Sequence, residues 1–237
     1  MRLWLTCFSV AAAVAAFAGP VTGRVEIMGG KASPKDRRSN AGVAVWLEPL
    51  DGTVVPAIRP GKATMVQQKK EFRPHVLAIP VGTVVDFPNF DPIFHNAFSN
   101  AAGQQFDVGL YPPGTSRQVA FRRPGIVRVF CNIHQSMSAV IVVQPTPYLA
   151  VSDEKGTFAF SGVAPGRYAV HAFYERATQS ALDALSRDIT VGAGPTEVPT
   201  LTVSESGYLA VPHKNKYGRD YPPNTGDNPV YSGEKHP

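Results

Sequence analysis

The chain has 237 residues, 43% of them hydrophobic and 17% charged, with 23 Lys and Arg against 18 Asp and Glu. That apolar content suffices for a core and excludes wholesale disorder, while 22 Pro and 21 Gly exclude long helices and coiled coils, because proline breaks a helix interior. A polytopic membrane protein is excluded as well, since only one stretch, near the start, is long and apolar.

That stretch reads as an address. Arg2 precedes an Ala-rich apolar run over residues 3–17, and Ala16-Phe17-Ala18 has the small-x-small pattern of a cleavage site. Residues 1–18 are expected to be a signal peptide cleaved near Ala18, which sends the chain to the periplasm with no membrane span in its mature form. The competing reading is an uncleaved anchor. Loss of Cys7 with the signal leaves Cys131 as the sole cysteine, so no intramolecular disulfide can form. A lone thiol in an oxidising compartment is open to oxidation. It is expected to be buried as an inert apolar side chain or bound to a metal. The formal charge of +5 falls to +4 with Arg2 gone, and its clusters (Lys31, Lys35, Arg37 and Arg38; Lys69, Lys70 and Arg73; Arg122 and Arg123) read as solvated loops and strand ends, the alternative being steering toward an acidic partner. No aromatic-basic motif points to nucleic acid.

Strands dominate the chain after residue 18. Residues 24–28 alternate, and 42–47 place Val43, Val45 and Leu47 on one face. Further β-rich runs cover 76–79, 84–87, 106–111, 117–121, 126–131 and 139–143; Pro112-Pro113-Gly114-Thr115-Ser116 stands between two of them as hairpin-like punctuation. Turns about every 10 residues predict a sandwich or barrel, and residues 22–144 are taken as one β domain. Gln144-Pro145-Thr146-Pro147 reads as a linker to a second β unit over 147–205. That unit has strands at 148–151, 157–160, 167–174, 189–191 and 198–203, turns at Asp153-Glu154-Lys155-Gly156 and Ala164-Pro165-Gly166, and a short helix at 177–185. It holds no cluster of catalytic side chains. From 206 to 237 the chain is a Pro/Gly/Tyr-rich tail. It is either disordered or pinned by Tyr208, Tyr217, Tyr221 and Tyr231 across the second domain or a partner.

The chemistry concentrates in Cys131-Asn132-Ile133-His134-Gln135-Ser136-Met137, which spaces a thiolate, an imidazole and a thioether as C-x-x-H-x-x-M. Cys131 shares a strand face with Val127 and Val129, so a core on that face turns the sulfur inward. The loop then brings His134 and Met137 back toward it, and residues 139–143 return as the partner strand. His95, in Asp91-Pro92-Ile93-Phe94-His95-Asn96, is the best fourth ligand. Two imidazoles, one thiolate and a weak axial thioether make the set of a blue-copper electron-transfer centre. Taken singly, Cys131 reads as a buried thiol, His95 as a structural histidine and Met137 as a core filler. His75 and His171 read as structural, and His213 and His236 as incidental metal contacts in the tail.

These residues resemble the cupredoxin family, and C-x-x-H-x-x-M is similar to the ligand loop of its amicyanin-like members. The resemblance implies a Greek-key β-sandwich with His95, Cys131 and His134 binding type 1 copper, Cu(II)/Cu(I), equatorially and Met137 axially. It also implies that the backbone N–H of Asn96 hydrogen-bonds the thiolate and that electrons pass through the exposed edge of His134. The phrases Val45-Trp46-Leu47-Glu48, Phe87-Pro88-Asn89, His95-Asn96-Ala97-Phe98-Ser99 and Tyr148-Leu149-Ala150-Val151 look like those of bacterial exported plastocyanin-like or methylamine-utilisation proteins. Gly156-Thr157-Phe158 with Ala164-Pro165-Gly166-Arg167-Tyr168 is similar to the transthyretin-like regulatory β-sandwich of carboxypeptidases. Residues 147–205 are expected to adopt that fold.

The expected protein is a monomeric one-electron carrier and not an enzyme. Its partners would be a dehydrogenase as donor and a c-type cytochrome as acceptor. Phe130 and Asn132 flank Cys131, so the His wiring of multicopper enzymes is absent there. Cys131 with His134 also mimics a Cys–His nucleophile pair. A non-redox copper chaperone or store, and an envelope-interaction protein on the same scaffold, are the alternatives.

Overall fold

The computed structural model describes residues 19–29, 39–209 and 212–222. The expected signal peptide, His236 and Tyr231 lie outside these residues. The chain is all-β apart from one short helix among the described residues. β1 (Gly19–Met28) and β2 (Ala44–Pro49) come first. β3 (Lys62–Thr64), β4 (Val66–Gln68), β5 (Glu71–Arg73), β6 (Val76–Pro80) and β7 (Val84–Pro88) come next, then the short β8 (Phe98–Ser99) and β9 (Phe106–Asp107). β10 (Ser116–Ala120), β11 (Gly125–Phe130) and β12 (Ser138–Gln144) lead to β13 (Leu149–Val151), β14 (Thr157–Val163) and β15 (Gly166–Phe173). α1 (Gln179–Asp183), β16 (Arg187–Val191) and β17 (Thr196–Ser204) complete the order.

The strands form two sandwiches that divide the chain differently from the expected 22–144 and 147–205. Sheets β14-β1-β17 and β13-β2-β15-β16 share one core, built on Val21, Val25, Val45, Leu47, Phe158, Tyr168, Val170 and Leu201. Sheets β10-β7-β3 and β6-β12-β11-β8-β9 share another, built on Val85, Phe87, Val127, Val129, Ile141 and Val143, with the β4-β5 ribbon beside it. The second sandwich is therefore inserted between β2 and β13 of the first. The expectation that β1 and β2 belong with the site-bearing domain is corrected: Gly23 pairs with Phe158 and Trp46 with His171. Alternation along β1 and β2 says that one face is buried, but not against which strands, and the partners lie more than a hundred residues away.

The stretch Pro112-Pro113-Gly114-Thr115-Ser116 also differs from expectation. β10 pairs with β7 and β9 with β8, so it joins two sheets and does not close a hairpin. At Asp153-Glu154-Lys155-Gly156 the turn forms where predicted, with the Gly156 N–H donating to the Asp153 carbonyl at 2.9 Å. Gly156 has φ +83°, and a Cβ there would stand 2.1 Å from the Val25 carbonyl oxygen, so glycine is required where this turn meets β1. α1 falls inside the predicted 177–185 but spans only Gln179–Asp183, its N-terminus capped by the Thr178 hydroxyl.

β12 joins the two sandwiches. Its run Ala139-Val140-Ile141-Val142-Val143 is buried throughout. Ala139, Ile141 and Val143 fill the inserted core. Val140 and Val142 point the other way, onto a cluster with Ala44, Val76, Trp46, Val151 and Phe173. A strand covered on both faces loses polar alternation, which is what this run shows. At the margin of the junction His75 Nε2 meets Glu175 Oε1 at 2.6 Å.

Candidate metal centre

The centre forms where β11 runs out. β11 and β12 pair antiparallel as far as Phe130 and Ser138, so Cys131 and Met137 face each other across the mouth of the loop between them. The Cys131 N–H donates to the Met137 carbonyl at 3.2 Å and the Met137 N–H to the His134 carbonyl at 3.0 Å, which folds the heptapeptide back on itself. The side-chain parity read from the sequence holds: Val127, Val129, Cys131 and Met137 are all buried in one core.

His95 arrives from the segment leading into β8, the neighbour of β11 in the same sheet. It forms an isolated bridge with Tyr111, exchanging backbone hydrogen bonds of 3.2 and 2.9 Å. The loop before it is braced by Asn89, whose side chain accepts from the Asp91 N–H at 3.0 Å and donates to the Ile93 carbonyl at 2.8 Å. His95 is fully buried, and its Nε2 lies 2.8 Å from Asp91 Oδ2. An Nε2–H donated to that carboxylate leaves Nδ1 as the lone-pair nitrogen, and Nδ1 is the atom turned to Cys131 Sγ at 4.0 Å. Burial pushes the His95 pKa below its ordinary value against the pull of Asp91, so the ring is neutral near pH 7. Burial by itself would raise the Asp91 carboxyl. The backbone N–H groups of Lys70 and Lys69, with His95, bring it below its ordinary value.

His134, half-buried, sets its Nδ1 3.7 Å from the same sulfur. Sulfur and both nitrogens lie within 4.8 Å of one another, and the two rings meet edge-on at 4.8 Å between centroids. With zinc's bond lengths as the yardstick, about 2.3 Å to sulfur and about 2.0 Å to nitrogen, a trigonal ion separates those atoms by about 3.7 Å. The donors thus stand at ligand spacing. The sulfur is also cradled by backbone N–H groups of Ile133, Asn96 and His134. Burial raises the Cys131 thiol pKa above its ordinary value, and the three donors work against that rise. A buried thiol facing two neutral-capable imidazoles and three N–H groups fits a soft or borderline metal ion, with the N–H groups favouring the thiolate once a cation is present.

Asn96 fastens the His95 segment to the Cys131 loop. Its Oδ1 accepts from the Asn132 N–H at 3.2 Å, and its Nδ2 donates to Asp107 Oδ1 at 2.7 Å and to the Gly109 carbonyl at 3.1 Å. The expectation for Asn96 named its backbone N–H alone; the side chain adds a second tie. Asp91 was not among the expected site residues; its place four residues before His95 is the only trace of its role in the sequence. His75 and His171 lie outside the cluster: His75 pairs with Glu175, while His171 stacks on Trp46 and contacts Glu48 Oε2 at 2.9 Å. His213 of the tail stacks on Phe130, beside the site.

No family model matches the chain, and no curated protein does. Solved structures are similar to part of it. One is a copper-containing nitrite reductase from Thermus scotoductus, 29% identical over 40% of this chain and 25% of that one, with a TM-score of 0.33. Another is a purple cupredoxin from Nitrosopumilus maritimus, 22% identical over 35% of this chain and 99% of that one, with a TM-score of 0.32. A reduced mutant of amicyanin is 19% identical over 37% of this chain and 86% of that one, with a TM-score of 0.34. The chain spans about a quarter of the length of the nitrite reductase, and each likeness leaves more than half of this chain uncovered.

Proposed function

We propose that the chain holds one copper ion between His95, Cys131 and His134, with Met137 completing the set, and works as a one-electron carrier. The observation that carries this reading is the convergence of the His95 and His134 Nδ1 atoms on the Cys131 sulfur, at 4.0 and 3.7 Å, already braced by Asp91 and Asn96. When bound, copper supplies the Cu(II)/Cu(I) couple. The chain's part is to hold the donors still. Asp91 fixes the tautomer and tilt of His95, Asn96 locks two distant segments in register, and the β11–β12 mouth fixes Cys131 opposite Met137. Little then has to move when the charge at the centre changes.

A Cys–His nucleophile suits the geometry less well. The Cys131 sulfur is fully buried and its thiol pKa is raised, whereas a reactive cysteine is partly exposed with a lowered pKa. His134 is the half-buried ligand, and its outer edge is the route we assign to electrons. Export to the periplasm rests on the signal-like residues 1–18; the monomeric state and a dehydrogenase donor with a c-type cytochrome acceptor belong to the same proposal and rest on the sequence reading. Among the described residues no helix is long and apolar enough to cross a membrane.

Titration with Cu(II) under visible and EPR spectroscopy tests the reading. One equivalent should give an intense charge-transfer band that Cys131→Ser abolishes. A stoichiometrically loaded, oxidised protein without such a band contradicts it.

A further inference from the structure

Residues 212–222 lie across the ligand loop. The Tyr221 hydroxyl donates to the Cys131 carbonyl at 2.8 Å. His213 Nε2 meets the Gln135 carbonyl at 2.7 Å, and its ring stacks on Phe130 at 4.0 Å between centroids. The Lys216 N–H donates to Asn132 Oδ1 at 3.0 Å, and its Nζ pairs with Asp107 Oδ2 at 2.7 Å. These contacts touch both limbs of the loop. They also reach Asp107, whose other oxygen accepts from Asn96. The segment keeps its own shape: Asn215 Oδ1 accepts from the N–H groups of Tyr217 and Arg219, and the Gly218 N–H donates to the Asn215 carbonyl.

We propose that residues 212–222 form a clasp that holds loop 131–137 in its ligand geometry before metal arrives and slows the metal's departure. His213 and Tyr221 are its positioning residues. His213 is not a further ligand, because Nε2 faces the Gln135 carbonyl while Nδ1 faces the Lys214 carbonyl and the Tyr221 hydroxyl. Release of an ion from a buried thiolate requires the loop to open, and the clasp ties that loop at Phe130, Cys131, Asn132 and Gln135. The metal half of the proposal rests on the copper reading; the loop half rests on contacts of the chain alone.

The test uses the full-length protein with Tyr221→Phe, His213→Ala and both together, and Tyr217→Ala as a control in the clasp's exposed part. In metal-free protein, amide exchange across 131–137 should quicken about tenfold in the double variant, the effect of losing two hydrogen bonds to the loop. Exchange in β14 and β15 should be unchanged. Transfer of Cu(I) to an excess of chelator should quicken by a similar factor, and His213→Gln, which keeps a donor for Gln135, should restore part of the wild-type rate. Unchanged exchange across 131–137 overturns the proposal, and faster exchange with unaltered copper release overturns its metal half. Should the wild-type chain take up no copper, the copper reading and with it the metal half fail, while exchange in the metal-free protein still decides the loop half.

Discussion

The two sandwiches are built alike and filled differently. The one formed by β1, β2 and β13–β17 encloses Val, Leu, Phe and Tyr, and its buried polar residues, Thr146 and Ser152, serve backbone groups of neighbouring strands. The inserted one buries Gln67, Asn89, Asp91, His95, Asn96 and Ser99 alongside its apolar core. Burying polar groups costs stability unless each finds a partner, and here several find one another around a single sulfur. A scaffold tolerates that concentration when its other half is apolar and its strands are covered on both faces, as β12 is. The lesson is a division of labour in which one sandwich frames and the other positions.

The largest effect that could break this division comes from the framing side. Leu47→Ala should lower global stability by about 3 kcal/mol in denaturant unfolding, from lost burial and a residual cavity. It should leave the visible band of the copper-loaded native protein in place. A changed band would mean that the frame shapes the site directly.

On the positioning side, Asp91→Asn removes the carboxylate that orients His95. Copper affinity should fall about 10- to 100-fold in competition titrations, the usual cost of losing such a partner. Proton release sharpens the same side. The Cys131 pKa is raised from 9.0, so the thiol is protonated at pH 7, while the lowered His95 is neutral. Copper uptake at pH 7 should therefore release one proton from Cys131 and none from His95. In weakly buffered solution with a pH indicator, Cys131→Ser should release one fewer proton than the wild type.

The smallest effect lies at the junction. The hydrogen bond to Glu175 raises the His75 pKa above 6.5 despite burial, and the same bond lowers the Glu175 pKa below 4.5. A raised histidine stabilises the fold below its unfolded pKa and loses that contribution as pH rises through its folded value. A lowered carboxylate stabilises above its unfolded pKa and loses that contribution as pH falls. The pair is thus strongest between pH 4.5 and 6.5. The His75 side chain is about half exposed, so solvent screening keeps the contribution under about 1 kcal/mol. Glu175→Gln should flatten the rise in melting temperature between pH 8 and pH 6.

Much of the site was legible in the residues because the information is local. The alternation through Val127, Val129 and Cys131 turns the sulfur inward, and the loop length brings His134 back to it. Partner choice was not legible. β1 and β2 carry the same period-two pattern whichever sheet takes them, and the twofold coverage of β12 is written only in its continuous apolar run. Asp91 was hidden because a carboxylate four residues from a histidine has many meanings until the loop between them folds. The tail's tyrosines suggested anchoring without naming a surface. Tyr221 reaches a single carbonyl, and the sequence has no code for that choice.

One sulfur and two imidazole nitrogens from distant segments should converge on one ion. Anomalous diffraction at the copper edge from crystals of the loaded protein locates that ion. One strong peak should appear, bounded by Cys131 Sγ and the Nδ1 atoms of His95 and His134. A peak at His75 or His171 instead, with the Cys131 sulfur unmetallated, would contradict it.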